Sequence, residues 1–195
     1  MNEDFADLLD RARAGEDSAW ASLYRDLAPQ IRGYLRARGA MEPDDLLGEV
    51  FLQVVRDLGS FSGGRRAFGA WVFTIAQHRL LDDARHAKRH PSVPASDEVL
   101  EENLPTLDGA EHDALRSLSA EAVRGLVAGI SPDQRSVLLL RVVGDLSLEE
   151  VARVTGKTLG AVKALQHRGL AAVKREMSPH AVSQGAPAAL GGSDG

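Results

Sequence analysis

The sequence contains no cysteine, and aromatic residues make up only 5% of it. The lack of cysteine excludes disulfides, thiolate catalysis and cysteine-ligated zinc, so folding must depend on apolar packing. No apolar run of about eighteen residues occurs, and the N-terminal segment MNEDFADLLD is acidic, so we expect neither a membrane span nor a secretory signal. With 195 residues, 44% of them hydrophobic, the chain can form one large or two small domains. We therefore predict a soluble cytoplasmic protein.

The sequence also lacks the motifs of common enzyme classes. It has no glycine-rich phosphate loop, no Gly-x-Ser-x-Gly, no His-Glu-x-x-His and no dinucleotide fingerprint. Four potential metal ligands recur at four-residue intervals, namely His78, Asp82, His86 and His90. Each four-residue step turns the helix face by about 40°, so only neighbouring pairs could share an ion, and the segment is strongly cationic. We therefore predict no enzyme activity, no metal and no cofactor.

Charge is unevenly distributed along the chain. The 23 Lys and Arg against 28 Asp and Glu give a net charge of −5, which at first argues against nucleic-acid binding. However, residues 65–90 and 131–177 are basic, whereas residues 91–121 carry one basic and eight acidic side chains. Phosphate neutralisation supplies most of the non-specific affinity for DNA. This weak basic footprint therefore predicts DNA contact that needs the help of a larger partner.

Residues 145–176 have the pattern of two helices joined by a tight turn. Ser147 and Glu150 form a capping box, Gly156 ends the first helix, and the second is predicted to start near Thr158. The basic side chains of the second helix are Lys157, Lys163, His167, Arg168, Lys174 and Arg175. The pattern is typical of a helix-turn-helix that offers its second helix to the DNA major groove. An ordinary helical hairpin with a solvated basic face gives a similar pattern.

Three helices are predicted in the first 58 residues. Asp17 is placed to cap the second, and Glu42-Pro43 starts the third. The third helix is predicted to bury one apolar stripe, formed by Leu46, Leu47, Val50, Phe51, Val54, Val55 and Leu58. The opposite side carries Asp45, Glu49, Leu52 and Arg56. Leu52 is then either an ordinary exposed leucine or the centre of a polar-rimmed partner surface.

A glycine-rich basic segment, GSFSGGRRAFGAW, leads into a long helix predicted over residues 66–89. Aromatic rings interleaved with arginine suit single-stranded nucleic acid, because unstacked bases stack on rings while cations hold phosphates. Core packing is the alternative. The helical spacing favours the core for Phe68 and Trp71, whereas Phe61, Arg65 and Arg66 are predicted to be exposed.

The chain is predicted to be all-α, with two small helical domains joined by a flexible acidic linker. We expect an N-terminal helical bundle over residues 1–90, a linker over 91–116 and a C-terminal helix-turn-helix domain over 117–177. In the second domain, Ser131 and Gln134 form another capping box, with Pro132 in the first turn. The tail, residues 178–195, is rich in Gly, Ala and Pro and is predicted to be disordered.

The chain carries, in this order, DLLGEVFLQVVRDLGSF, FGAWVFTIAQHRLLDDAR and ISPDQRSVLLLRVVGDLSLEEVARVTGKTLGAVKALQHR. Over about residues 3–177 this set resembles a bacterial RNA polymerase sigma factor of the extracytoplasmic-function (ECF) group, and GAVKALQHRGL resembles an actinobacterial branch. The resemblance implies that the chain binds core RNA polymerase, on the clamp helices of the largest subunit and the flap of the second largest. It also implies promoter DNA and an anti-sigma factor as partners, without direct membrane insertion.

The resemblance further implies three sets of contact residues. Those for core polymerase are Asp45, Glu49, Leu52, Gln53 and Arg56. Those for the minus-ten promoter element are Phe61, Arg65, Arg66, Trp71, His78, Arg79 and Arg85. Those for the minus-thirty-five element are Lys157, Thr158, Gly160, Lys163, Ala164, His167, Arg168 and Lys174.

Six positions depart from the family pattern. His78 stands where the family usually has an Asn that is linked to minus-ten reading. Thr155 and Lys157 stand where the family often has Leu and a hydrophobic residue, Ala164 and Leu165 stand where it has a polar Ser and an Arg, and Gln166 replaces a usual Leu. The departures near the turn predict that the recognition helix is rotated slightly or that it presents Gln166 and His167 to bases. One other class stays open, a helix-turn-helix regulator that acts on operator DNA without replacing the sigma subunit. That class explains residues 145–176, but not the Leu52 side of the third helix or the aromatic–arginine segment.

Overall fold

The computed structural model describes residues 4–87, Gly125 and residues 129–177, with the side chains of 86, 87, 176 and 177 left out. Within these residues the protein is entirely helical, as predicted. The helices are α1 (Phe5–Arg13), α2 (Asp17–Ala37), α3 (Pro43–Asp57), α4 (Arg65–Ala87), α5 (Pro132–Val142), α6 (Leu148–Thr155) and α7 (Leu159–Met177), with a 3-10 turn at Leu58–Ser60. None of them combines the length and apolarity needed to cross a bilayer. The predicted linker and tail lie outside the described residues.

The start of α2 differs from the sequence prediction. Its N-cap is Glu16, whose side chain makes no capping bond, and Asp17 is already the first helical residue. Glu16 instead accepts a hydrogen bond from Arg11 Nε at 2.7 Å. The hydrogen bonds from Arg11 and Ser18 lower the pKa of the Glu16 carboxyl to about 2. An ion pair between α1 and the start of α2 therefore replaces the predicted Asp17 cap.

Helix α3 begins as predicted, with Glu42 at the N-cap and Pro43 in the first turn. Its apolar stripe is buried against the bundle, except for one residue. Val55 is 52% exposed, so the prediction that it belongs to the buried stripe is wrong. At 100° per residue, Val55 lies at the edge of the stripe, three residues beyond Leu52 and one turn beyond Phe51. The apolar part of the outer face is consequently larger than the sequence suggested.

The C-terminal half confirms the predicted helix ends. Both capping boxes are complete, with reciprocal bonds between Ser131 and Gln134 and between Ser147 and Glu150. Gly156 ends α6 in the left-handed region, at φ 69°, which an L side chain adopts only with strain. Thr158 Oγ1 then accepts a hydrogen bond from the Ala161 amide in the first turn of α7. Residues 148–177 therefore form the predicted helix–turn–helix.

The two halves share one apolar core rather than standing apart. Helix α6 packs on α4, and α5 contacts α2. Tyr34 of α2 and Phe73 of α4 are both fully buried, with ring centroids 5.5 Å apart in an edge-on arrangement. Leu146, in the loop before α6, is buried in the same core. The described helices therefore form a single packed body.

Candidate nucleic-acid interface

Helix α7 presents a narrow basic strip to solvent. Lys163, His167 and Lys174 are exposed, and positions 4 and 11 residues apart lie within about 40° of one another on a helix. Gly160 and Thr158 extend the exposed strip to the start of the helix. Val162 and Leu165 face the opposite way and are buried, as predicted. The geometry suits insertion of α7 into a major groove, because the basic strip carries no bulky apolar side chain.

Three predicted residues of this interface are placed differently. Ala164 is only 3% exposed, so it is a packing residue and its assignment to the DNA surface is corrected. Gln166 is 4% exposed, which corrects the expectation that it is presented to bases, and its Oε1 has no hydrogen-bond partner among the described residues. Lys157 is half-buried and pairs with Asp133 of α5 at 2.8 Å. Ala164 and Gln166 are turned inward because α7 packs against α5 and α6.

The aromatic side chains near the start of α4 form a cluster. Phe68 is buried, as predicted, and Trp71 is half-buried. Phe61 stacks on Trp71, with ring centroids 5.0 Å apart, and meets Phe68 edge-on at 5.3 Å. The prediction that Phe61 is exposed is therefore wrong, since it is half-buried. Arg13 of α1 holds this segment by donating to the Phe61 carbonyl at 2.5 Å.

The arginines at the start of α4 are exposed but paired. Arg65 forms an ion pair with Asp26 and lies over the Phe5 ring, 5.2 Å from its centroid. Arg66 Nε donates to both carboxylate oxygens of Glu150, at 3.1 and 3.2 Å. The bond to Glu150 raises the pKa of Arg66. These cations are presented to solvent with their charge already balanced.

Glu150 has two roles in the fold. Its carboxylate accepts from the Ser147 amide at 2.6 Å, which completes the cap of α6, and it also binds Arg66. Burial raises the pKa of Glu150, but the bonds from Arg66 and the Ser147 amide outweigh burial, so the pKa lies below its ordinary value. The capping role was predicted from the Ser-x-x-Glu pattern. The pairing with Arg66 was not, because it joins residues 84 positions apart.

Farther along α4, the predicted DNA residues have different surroundings. His78 is exposed, and Arg85 is exposed and pairs with Asp82 at 2.9 Å within the same helix. Arg79 is half-buried and points to α3, where it donates to Gln53 Oε1 at 2.8 Å. Its second nitrogen lies 3.9 Å from Glu49 Oε2. Arg79 is therefore tied to the side of α3 that was predicted to contact a protein partner.

The outer side of α3 combines apolar and charged groups. Leu52 is 58% exposed, and the exposed Val55 lies one turn away. Asp45, Glu49 and Arg56 are exposed around them. Gln53 is half-buried, because it bonds both Arg79 and Asp57. The i, i+3 spacing of Leu52 and Val55 was visible in the sequence and would have identified the second apolar residue.

No group of three or more potential metal ligands occurs in the described part of the chain. Of the four-residue series, His78 and Asp82 are exposed on α4, whereas the His86 side chain and His90 lie outside the described residues.

Two protein-family models match this chain and show its family. The model for Sigma-70 region 2 matches residues 23–90, and the model for Sigma-70, region 4 matches residues 120–173. The chain belongs to the ECF group of RNA polymerase sigma factors. Region 2 thus covers most of α2 and all of α3 and α4, and region 4 covers α5, α6 and most of α7. The predicted family is confirmed.

Several ECF sigma factors of actinobacteria are similar to this sigma factor. It is 34% identical to BldN of Streptomyces coelicolor over 171 residues, which is 87% of this chain and 64% of BldN. It is 34% identical to SigD of Mycobacterium tuberculosis over 172 residues, 85% of this chain and 80% of SigD. It is 35% identical to ShbA of Streptomyces griseus over 176 residues, 86% of this chain and 92% of ShbA.

Two solved structures share the fold. CnrH, in complex with the cytosolic domain of CnrY, matches with a TM-score of 0.58 and 20% identity, covering 87% of this chain and 94% of CnrH. The sigma factor RpoE of Bartonella quintana, in complex with the anti-sigma factor NepR, matches with a TM-score of 0.60 and 19% identity, covering 82% and 98%. At this identity the likeness concerns the fold.

Proposed function

We propose that this sigma factor binds core RNA polymerase through the outer side of α3, contacts the minus-ten element with the start of α4, and reads the minus-thirty-five element with α7. The observation that carries the proposal is the presence of region 2 and region 4 in one chain, in family order. The exposed basic strip of α7 and the apolar outer side of α3 supply the two surfaces that the function needs.

Run-off transcription with core polymerase tests this function directly. Core enzyme with this protein should transcribe from a subset of a promoter library from which core enzyme alone does not. Templates that share both elements should be enriched among the transcripts. Operator binding by the protein with no effect on core enzyme would contradict the proposal.

The outer side of α3 supports the polymerase contact. Leu52 and Val55 form an apolar pair that is rimmed by charges, as expected for a partner surface. Leu52→Ala and Glu49→Lys should weaken the binding of core polymerase in a pull-down without changing the thermal midpoint, because neither opens a cavity. Met41→Ala is a matched control, since Met41 is 86% exposed but lies before α3. Equal losses for all three variants would count against this surface.

The same apolar pair supports regulation by an anti-sigma factor. A solvent-exposed apolar surface is a common docking site for a partner protein, and RpoE of Bartonella quintana is seen bound to NepR. We propose that a cognate anti-sigma factor covers Leu52 and Val55 when the sigma factor is idle. Leu52→Ala should then weaken the anti-sigma factor and core polymerase together. Loss of polymerase binding with full retention of the anti-sigma factor would contradict the shared site.

The clamp helices of the largest subunit are the proposed partner of α3, and the flap of the second largest subunit is the proposed partner of the helix-turn-helix half. The net charge of −5 limits the phosphate contacts that the chain makes by itself, which supports the need for a larger partner on DNA. Site-specific crosslinking from Val55 and from Arg153, which is exposed on α6, should label different polymerase subunits. Labelling of a single subunit from both positions would refute this arrangement.

A further inference from the structure

Helix α1 holds the segment that joins α3 to α4. This α3–α4 turn, residues 58–64, begins with the 3-10 turn and contains Phe61, one of the predicted minus-ten residues. Arg13, the last residue of α1, donates to the Phe61 carbonyl at 2.5 Å and, more weakly, to the Leu58 carbonyl at 3.4 Å. Its Nη1 atom donates to Asp10 Oδ1 at 2.7 Å. All three guanidinium nitrogens of Arg13 are therefore engaged, two of them with the backbone of the turn.

The shape of the guanidinium group suits these two bonds. The two carbonyls flank the 3-10 turn, whose own closing bond runs from the Phe61 amide to the Leu58 carbonyl at 3.2 Å. A guanidinium carries five N–H donors in a rigid planar fork, whereas a lysine ammonium is a compact charge on a flexible stem. The Arg13 side chain is only 33% exposed, so the protein partly shields its bonds from water. Arginine therefore holds both ends of the 3-10 turn with one side chain.

Helix α1 is itself fixed to the N-terminal bundle. Leu8, Leu9 and Ala12 on its inner face are buried in the core. Arg11, one turn before the end of the bend that follows α1, forms an ion pair with Glu16 at the start of α2. Arg13 therefore extends from a support that is held in place independently of the α3–α4 turn.

The other end of α1 contacts the start of α4. The Phe5 ring centroid lies 5.6 Å from that of Phe68, and the Arg65 guanidinium lies over the Phe5 ring. The region 2 model begins at residue 23, so α1 lies before the part of the chain that this model matches. A helix outside the matched region thus contacts both the α3–α4 turn and the first turn of α4.

The second part of the α3–α4 turn is exposed and closely constrained. Residues 62–64, a serine and two glycines, are exposed, and their small size lets a nucleotide approach the backbone closely. Gly63 has a φ of 148°, which an L side chain adopts only with strain. A Cβ atom there would lie 3.0 Å from Ala67 Cβ and 3.2 Å from the Phe61 ring. Because residues 62–64 follow Phe61 directly, the bond from Arg13 to its carbonyl also sets where they lie.

We propose that Arg13 is a positioning residue for minus-ten reading, which holds the α3–α4 turn so that Phe61 and residues 62–64 meet unpaired bases in a fixed geometry. This inference rests on the proposed function. Arg13 acts through the backbone of the turn and not through a DNA phosphate. A turn that has lost this support still contacts DNA but distinguishes bases less well, because base-specific hydrogen bonds need donors and acceptors at defined positions.

Tryptophan fluorescence of the free protein tests the hold of Arg13 on the turn. The chain has two tryptophans, so Trp20→Phe leaves Trp71, on which Phe61 stacks, as the single reporter. In this background, Arg13→Ala should increase quenching of Trp71 by acrylamide, because Phe61 is no longer held over the indole. Arg11→Ala is the matched control, since Arg11 forms ion pairs within α1 and with the start of α2. Unchanged quenching in Arg13→Ala would overturn the proposal.

Transcription by the holoenzyme tests the effect on base reading. The templates should carry single-base changes in a minus-ten element that is already unpaired, so that duplex opening does not contribute. Arg13→Ala should reduce discrimination between the best template and its variants by about three- to tenfold, the range of one or two hydrogen bonds. Arg13→Lys should recover only part of this loss, because lysine keeps the charge but lacks the fork. Discrimination among minus-thirty-five variants should stay unchanged.

A second variant leaves Arg13 in place and is safe for the fold. Asp10, which orients Nη1 of Arg13, has a side chain that is 73% exposed, so Asp10→Ala opens no cavity. It should reduce minus-ten discrimination in the same direction as Arg13→Ala, by a smaller factor. Discrimination that rises in Asp10→Ala would contradict the proposed role of Arg13.

The outcomes separate this inference from the function on which it rests. No transcript from wild type on any template would refute the proposed function, and this inference with it. With an active wild type, full minus-ten discrimination by Arg13→Ala would overturn the positioning role alone. An equal loss on every template, restored by Arg13→Lys, would make Arg13 a phosphate contact and would also overturn it.

Discussion

The predicted DNA-contacting cations of α4 and of α7 have different surroundings. Arginines on α4 are each held by side chains of the protein: Arg65 by Asp26, Arg66 by Glu150, Arg79 by Gln53 and Arg85 by Asp82. On α7, Lys163 and Arg168 make no ion pair or hydrogen bond with the described part of the chain. If α7 and α4 bind DNA as proposed, the cations of α7 are available at once, whereas those of α4 must first exchange partners.

The largest expected effect is the loss of minus-thirty-five binding on substitution of α7 residues. It tests whether the basic strip of α7 reads bases. Lys163→Ala should cost about 1–3 kcal/mol on the best minus-thirty-five site and relax preference at one or two base pairs. Lys174 lies nearly two turns beyond His167, towards the DNA backbone, so Lys174→Ala should weaken binding to all sites about equally. Transcription by the holoenzyme on a set of minus-thirty-five variants measures both. A uniform loss for Lys163→Ala would make it a phosphate contact and move base reading to Thr158 or Gly160.

The next effect concerns Arg79, which links α4 to the outer side of α3. We expect Arg79→Ala to weaken core-polymerase binding by about 1 kcal/mol, because Gln53 loses the partner that orients it. Preference at the minus-ten element should stay unchanged. Arg85→Ala is the matched control, since the partner of Arg85 among the described residues is Asp82 of its own helix. Altered minus-ten preference with normal polymerase affinity would return Arg79 to the DNA surface.

A smaller effect, on the salt dependence of DNA binding, should distinguish Arg168 from the ion-paired Arg66 in the free protein. Arg168→Ala should lower the salt dependence of non-specific DNA binding by roughly one unit of slope, since each phosphate contact contributes about that much. Arg66→Ala should change the slope by less than half as much, because Glu150 already neutralises Arg66. Binding titrations of the isolated protein at several salt concentrations measure both slopes. Equal changes of slope for the two variants would contradict the proposed difference between the cations of α4 and α7.

The smallest effect concerns an ion pair with no predicted DNA role. Arg11 lowers the pKa of Glu16 to about 2, so the charged carboxylate favours the folded state. Its contribution to stability is full above the ordinary pKa of 4.5 and is lost as the pH falls through about 2. Thermal unfolding should therefore separate Glu16→Gln from wild type at pH 7 and not near pH 2. A difference that grows towards acid pH would contradict this sign.

Local patterns predicted the helix ends well. Ser131, Ser147 and Gly156 act through neighbours a few residues away, so their roles can be read from the sequence. Side-chain placement at the edges of helical stripes was predicted less well. Val55 and Phe61 lie at such edges, where the neighbouring element decides exposure. No helix in the described part of the chain covers Val55, whereas Trp71 covers Phe61. The same reason explains why Ala164 and Gln166 proved to be buried.

The sequence by itself determined the family, the all-helical class and the positions of the two helices that are proposed to face DNA, because periodicity, caps and motif order are properties of short segments. Only the tertiary structure decided which cations are paired and that the two halves close on each other. Arg66 meets Glu150 across 84 positions, and Gly144 meets Phe73 across a similar separation. Such contacts depend on how amphipathic helices choose partners in a shared core, and the period of any one helix does not specify that choice.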